Sequence, residues 1–362
     1  MKILIVSRSF YPHNSPRSFR TAELAKELSS KGHDVTVYIP SSEFDYSDFI
    51  REHPMVIKYF NTYSLGRKIT GISLIDRVIY HYEKWLINSE YLKTMLELEK
   101  TICVEKDYDL LITIAVPHYI HWAVGRLYEK GYKIATTWVA DCGDSYMKCR
   151  TMANRPPFYF KPLEKRWCRF CDYITVPLES EKENYYPEFV EKIRVIPQGF
   201  NFDEVGEYVA SKKNDIIVFA YAGSFIPRIR DPRPLMEYLL NCKKDFRFVI
   251  YSTTLNLIQP YKEKFGDKLE IREPIPRLEL IRKLRECDFL INIDNGAAKG
   301  MPSKLIDYSL VGRPILSITS SNIDTKMIDS FLCRDYTEQF IVEDISRYDI
   351  HNVAQQFIDL CK

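Results

Sequence analysis

Several shortages narrow the reading before any motif is considered. No apolar run approaches the roughly 18 residues that span a bilayer, and the opening run, residues 3–6, is closed by Ser7 and Arg8. That run is too short for the core of a secretion signal. The expected location is the cytoplasm, with a peripheral position at the inner membrane face left open. Charge of one sign is not in excess: 51 Lys and Arg face 49 Asp and Glu, a net +2. Nucleic-acid binders carry a concentrated basic surface, so no nucleic-acid partner is expected. Glycine is scarce, 13 of 362 residues, which excludes a collagen-like repeat. The nine cysteines are odd in number and scattered. They do not make a disulfide framework, and reduced thiols fit better. There is no low-complexity segment and no short internal repeat.

What remains is ordinary globular composition, 46% apolar and 28% charged. A chain of 362 residues is long enough for two or three domains of about 100–200 residues. Aromatic residues are plentiful at 14%; most belong in a core, and some suit the lining of a binding cleft.

Residues 2–6 form a short apolar run of the kind buried in parallel sheets. A polar loop over 7–15 follows. Ser15-Pro16 is a helix start: a capping hydroxyl, then a residue whose missing N–H is not needed there. Residues 34–39 (DVTVYI) are the next strand, so the chain opens as strand, loop, helix, strand. A long helix is expected over 73–106, strands over 110–116, 133–139 and 173–176, helices over 118–130 and 156–171, and a short strand over 192–197. The pattern then restarts. Residues 216–222 (IIVFAYA) end at Gly223, Asp231-Pro232 marks a second helix start, and strands are expected near 246–252, 269–273, 288–294 and 314–318. Helices are expected near 256–265, 278–286 and 303–311. Alternating strands and helices imply two open parallel sheets. The expected division is 1–198, 199–345, and a final helix within 346–362 that crosses back to the first domain.

These residues resemble a known family. The opening K-I-L-I-V, then P-R-S-F-R-T-A-E-L-A-K-E-L from Pro16 and G-H-D-V-T-V from Gly32, are similar to the retaining, nucleotide-sugar-dependent glycosyltransferases of family 4. I-P-Q-G-F-N from Ile196 resembles their interdomain signature, and Y-A-G-S from Tyr221 the start of their second domain. P-S-K-L-I-D-Y from Pro302 and V-G-R-P-I-L from Val311 resemble a block found in members that build bacterial surface polysaccharides. Trp138-Val139-Ala140-Asp141 and Asp144 resemble a further stretch of those members. The resemblance implies an α/β fold of two Rossmann-like domains facing across a cleft (GT-B), the first binding acceptor and the second a nucleotide sugar. It implies transfer of a sugar, with a UDP-sugar favoured as donor, to a glycan or lipid-linked acceptor, with retention and without a required metal or other cofactor.

A sugar diphosphate needs cations and backbone N–H groups, which helix N-termini supply. Ser303 is a good cap, so Lys304 falls in a first helical turn, where a cation opposes the helix dipole unless an anion lies between them. Arg228 and Arg230 follow Gly223-Ser224, and arginine forks suit phosphate oxygens; Arg230 matches the family pattern better. Asp307, at i+3 from Lys304, stands where the family holds ribose hydroxyls; a plain ion pair with Lys304 is the alternative. Lys299 stands where the family has its first motif glutamate, and an acidic donor sugar would suit a cation there. The resemblance brings His118 forward as a catalytic candidate beside Arg230 and Lys304. His118 and His121 have the spacing of a metal pair but no third ligand placed by sequence. Cys168 and Cys171 are expected to be structural. Arg17 and Arg20, near the first helix start, and Asp141 and Asp144, past a strand end, are acceptor-binding candidates; ordinary loop charges are the alternative. Lys58, Arg67, Lys68, Arg77, Lys84 and Lys93, interleaved with aromatic and aliphatic residues, fit either a face touching anionic lipid or a solvated helix face. Two rivals to a transferase are a nucleotide-sugar 2-epimerase on the same fold and a non-catalytic nucleotide or sugar binder.

Overall fold

A computed structural model describes residues 1–13, 15–65, 73–148, 156–206, 214–294, 303–321 and 323–362. The chain divides into two compact units, Met1–Phe200 with Arg347–Lys362, and Asn201–Ser346.

The first unit carries seven strands: β1 (Lys2–Ser7), β2 (Asp34–Pro40), β3 (Val56–Phe60), β4 (Tyr108–Ala115), β5 (Ala135–Cys142), β6 (Tyr173–Val176) and β7 (Ile193–Val195). All pair in parallel, in the order β3-β2-β1-β4-β5-β6-β7. Its helices are α1 (Pro16–Ser30), α2 (Ser47–Glu52), α3 (Ser73–His81), α4 (Ser89–Ile102), α5 (Tyr119–Glu129) and α6 (Lys161–Phe170). Successive strand residues divide between two cores, because side chains alternate across the sheet. Ile3, Ile5, Val37 and Ile112 lie in one with α1, while Leu4, Val6, Leu111 and Trp138 lie in the other with α5 and α6. Both faces are covered, which is why these strands read as continuous apolar runs.

Ser15 caps α1, its hydroxyl accepting from the Ser18 amide at 3.2 Å, and Pro16 opens the helix. The single long helix expected over 73–106 is instead α3, a π-helical stretch (Tyr82–Ile87) and α4. The break is Asn88, in the left-handed conformation at φ 51°, which asparagine tolerates better than most residues. Its amide donates to Tyr146 Oη at 3.0 Å.

The second unit carries β8 (Ile217–Ala222), β9 (Phe246–Tyr251), β10 (Leu269–Arg272), β11 (Phe289–Asp294) and β12 (Ile315–Thr319), parallel in the order β10-β9-β8-β11-β12. Its helices are α7 (Arg233–Leu240), α8 (Lys262–Phe265), α9 (Arg277–Leu284), α10 (Ser303–Val311) and α11 (Thr325–Leu332). Here too alternation splits the core, Phe219 and Phe248 stacking on one side and Ala220, Val249 and Leu290 packing with α9 and α10 on the other. The helix start expected at Asp231-Pro232 begins one residue later, at Arg233, whose amide donates to Asp231 Oδ1 at 3.1 Å.

The last helix, α12 (Ile350–Asp359), belongs to the first unit. Asp349 caps it, its carboxylate accepting from the His351 amide. Ile350, Val353 and Phe357 are buried in the α1 core, and Phe200 exchanges backbone hydrogen bonds with Tyr348 and Ile350.

Candidate functional site

In an open parallel sheet, ligands bind beyond the carboxyl ends of the strands where the strand order reverses. In the second unit that point lies between β8 and β11. The ends of β8 and β9, with α9 and α10, enclose a cavity of about 300 Å³ whose lining includes Gly223, Ser224, Ser252, Lys304 and Asp307.

Each wall of this cavity has a local cause. β8 ends at Gly223, with φ 141°, a backbone that side chains strain. Tyr308 of α10 ties that end down: its hydroxyl accepts from the Ala222 amide at 2.7 Å. Tyr221 donates to the Ser224 carbonyl at 3.1 Å and stacks on Phe225 at 4.6 Å. The next residues turn back tightly, Arg230 N–H donating to the Ile226 carbonyl at 2.8 Å. Arg228 occupies the turn at φ 67° and is exposed. Asp231 fixes the turn, its own amide donating to Ser320 Oγ at 2.7 Å.

Lys304 is drawn over the Tyr221 ring, its Nζ 4.7 Å from the centroid. Among the described residues the ammonium has no hydrogen-bond partner, and neither has Arg230 Nε. Burial, and then the neighbouring Arg230, lower the Lys304 pKa to about 7, with Asp294 opposing. A buried ammonium with a second cation close enough to lower its pKa is an unfavourable arrangement in isolation and a favourable one for an anion. Asp307 does not pair with Lys304; it pairs with Arg277 of α9 at 2.7 Å. Burial raises its carboxyl pKa and Arg277 opposes that. α10 begins at Ser303; Lys299 and Pro302 lie outside the described residues.

In the first unit the reversal lies between β1 and β4; Arg17, Arg20, His118 and Asp144 follow β1, β4 and β5, while Asp141, expected past a strand end, lies within the last two residues of β5. Arg20 and Asp141 are each 2% exposed. Arg20 Nε and Nη2 donate to the two Asp141 oxygens at 3.1 and 2.8 Å, and Nη1 donates to the Pro197 carbonyl at 2.5 Å. Thr175 Oγ1 donates to Asp141 at 2.7 Å. Both residues, expected as acceptor ligands, are thus occupied inside the domain. Together they join α1, β5, β6 and the chain leaving β7. Arg17 stays more open, its side chain 23% exposed, with Nη1 3.6 Å from Asp141. It lies against Gly143, where any Cβ would stand 2.8 Å from the guanidinium. Asp144 is half-buried and acts electrostatically on Arg17. His118 is fully buried beside Tyr146 and His121. Burial lowers its pKa to about 4, the Asp144 backbone partly opposing. His121 meets Thr113 Oγ1 at 2.7 Å and Cys142 Sγ at 3.3 Å, so both its ring nitrogens are engaged within the protein. Cys168 and Cys171 are buried, with thiol pKa values raised by that burial. Among the described residues no group of three or more His, Cys, Asp or Glu is arranged to hold a metal ion.

The profile of Glycosyltransferase Family 4 matches residues 19–204, just over half the chain. The chain belongs to Glycosyltransferase Family 4. No curated protein sequence matches it. Solved structures match along nearly its whole length. The Anabaena protein Alr3699/HepE in complex with UDP-glucose has TM-score 0.57 at 10% identity, covering 99% of this chain and 98% of that one. The lipopolysaccharide outer core galactosyltransferase WaaB has TM-score 0.58 at 13% identity, covering 99% of each. A glycosyltransferase from Rickettsia africae has TM-score 0.58 at 12% identity, covering 100% and 94%. At such identities the likeness concerns the fold, which is GT-B.

Three residues around the cavity of the second unit had no role assigned from sequence. Tyr308 stood inside the P-S-K-L-I-D-Y block, and its hydroxyl bond to β8 needs the folded sheet to exist. Arg277 follows a proline at a helix start like many solvated arginines. Tyr221 looked like any aromatic of a buried strand.

Proposed function

We propose that this chain transfers a sugar from a nucleoside diphosphate sugar, a UDP-sugar foremost, to a hydroxyl of a glycan or lipid-linked acceptor, with retention at the anomeric carbon, in the assembly of a bacterial surface polysaccharide. The observation that carries the donor assignment is the buried Lys304 ammonium, without a hydrogen-bond partner among the described residues and lining a cavity at the strand ends, with the half-buried Arg230 close by. The bond from the anomeric carbon to the diphosphate oxygen breaks, and negative charge grows on that oxygen. Lys304, Arg230 and the first turn of α10 at Ser303 stabilise it, acting more strongly on the leaving diphosphate than on the intact donor. Gly223 and Ser224 let the β8 loop approach the phosphates closely, and Arg228 stands at its exposed rim. Asp307, held by Arg277, accepts from the ribose hydroxyls. The acceptor oxygen forms the new bond on the same face of the sugar and passes its proton to the departing diphosphate oxygen. In the first domain Arg17 and Asp144 contact the acceptor, with Arg20 and Asp141 setting their positions, and His118 lies behind them as a neutral ring. The solved complex of the Anabaena protein with UDP-glucose favours uridine as the donor base.

The test is a thermal-shift panel of UDP, GDP, CDP, ADP and dTDP on the wild type and on Lys304→Ala. A ligand at about 100 times its dissociation constant adds roughly 2.7 kcal/mol to stability. UDP is expected to raise the melting temperature of the wild type by several degrees and to leave Lys304→Ala nearly unmoved. A wild type indifferent to every diphosphate, or a variant that responds like the wild type, overturns the donor site.

A further inference from the structure

In α3 and the π-helical stretch after it, the apolar stripe faces outward. Leu74, Val78, Tyr82 and Leu86 recur every four residues, and they are 70%, 62%, 53% and 49% exposed. Asp76, by contrast, is 5% exposed. A surface helix normally buries that stripe, and contiguous exposed apolar ridges mark contact sites. The ridge continues onto a second segment: Tyr159 donates its hydroxyl to the Leu86 carbonyl. Tyr82, Leu86, Tyr159 and Phe160 wall an apolar groove of about 440 Å³, and Phe158 beside it is 84% exposed.

Past Tyr159 the chemistry changes sign. The outer side of α6 presents Lys161, Lys165 and Arg169 at successive four-residue steps, with Arg166, around an open groove of about 590 Å³. Glu129 answers Arg166 at 3.0 Å and Glu188 answers Lys165; Lys161 and Arg169 are exposed. Arg77 and Lys84, on the same helical segment as the ridge, are exposed too. The face therefore joins an apolar ridge and its aromatic rings to exposed cations, through Tyr159, which lines both grooves.

We propose that this face docks on an anionic lipid bilayer. Aliphatic side chains enter the acyl boundary, tyrosine and phenylalanine rings sit at headgroup level, and lysine and arginine meet lipid phosphates. A second copy of the chain is a poorer occupant, because a self-complementary contact would bring the same basic flanks together. No described helix is long and apolar enough to cross a membrane, so the contact is peripheral. The residues involved are separate from those assigned to the donor and the acceptor, and the inference stands without the donor reading.

Flotation of the full chain with vesicles tests it, comparing phosphatidylcholine alone with phosphatidylcholine containing one-third phosphatidylglycerol, at low and high salt. The wild type is expected to float with anionic vesicles only, and less at high salt. L74E/V78E and K161E/R169E are each expected to reduce the floated fraction about tenfold or more. Both variants change exposed positions, and unchanged melting temperatures confirm that they fold. An unchanged response to UDP keeps the donor site out of the result. A wild type that does not float with anionic vesicles, or an L74E/V78E variant that floats like the wild type, overturns the proposal. So does a wild-type dimer in sedimentation that L74E/V78E dissociates, since the face then belongs to a second copy.

Discussion

Lys304 and Tyr221 meet as cation and ring, 4.7 Å from Nζ to the centroid, in a wall where burial and Arg230 hold the lysine pKa near 7. The unfolded chain protonates this lysine up to about pH 10.5. Below pH 7 both states carry the proton, and the whole cost of the buried charge is present. As the pH rises from 7 towards 10.5, the folded lysine is neutral while the unfolded one is charged, so the cost fades. Lys304→Met is therefore expected to raise the melting temperature by several degrees at pH 6, with the gain shrinking above pH 7. Thermal denaturation of both proteins across pH 6–9 measures this; a variant less stable than the wild type at pH 6 contradicts it.

The same proton should appear in nucleotide binding. UDP is expected to bind more weakly to the wild type as the pH rises above 7, with proton uptake on binding near pH 8. Calorimetry in buffers of different ionisation enthalpy reads that uptake directly. Arg230→Ala removes a charge-assisted contact of about 1.5–3 kcal/mol, or roughly 10- to 150-fold in dissociation constant. Uptake that persists in Lys304→Met would assign the proton to another group.

Breaking the Arg20–Asp141 pair should be costly to the fold. Removing one partner of a buried ion pair typically costs about 3–5 kcal/mol, so Arg20→Met and Asp141→Asn should both unfold at clearly lower denaturant. Burial raises the Asp141 pKa, but Arg20, Arg17 and Thr175 more than offset that and hold it below the ordinary value. Its contribution to stability is thus present above the unfolded carboxylate pKa and lost as the pH falls through the lower folded one. Chemical denaturation between pH 3 and pH 7 should show Asp141→Asn converging on the wild type in acid.

Tyr308→Phe deletes one oxygen. It leaves the Ala222 amide without its 2.7 Å acceptor, a loss of about 1–3 kcal/mol, and loosens the end of β8 beside Gly223. The expected pattern is a modest fall in melting temperature with a larger fall in UDP affinity. If UDP affinity is untouched, Tyr308 serves packing alone.

Phe357 is fully buried on α12, and the Arg20 guanidinium lies 5.0 Å over its ring. Phe357→Ala should destabilise the first unit by about 3–5 kcal/mol. Hydrogen exchange should show faster exchange in α1 and α12 while β8–β12 keep their protection; uniform loss across both sheets would contradict the placement of α12.

Much of the fold was legible in the sequence, because it rests on local pattern. Apolar runs such as DVTVYI mark strands buried on both faces, and Ser15-Pro16 marks a helix start through capping chemistry. β3 escaped notice because VIKYF lies at the sheet edge, half-exposed, without a clean period. The break at Asn88 escaped notice because its left-handed turn is secured by Tyr146, 58 residues away.

The site divides the same way. Residue type and helix position made Lys304 and Arg230 candidate anion ligands, and the family resemblance brought Asp307 forward for a ribose and Arg230 ahead of Arg228. Which groups are unpartnered and which are occupied was decided by packing. Asp141 and Arg20 are 121 positions apart, and only the parallel order β1-β4-β5 brings them within 2.8 Å. Burial there pairs two candidate ligands with each other, whereas burial over Tyr221 lowers the Lys304 pKa. Sequence sets what each side chain can do; long-range strand pairing sets how much water and which opposite charge it meets, and those two quantities decide its chemistry.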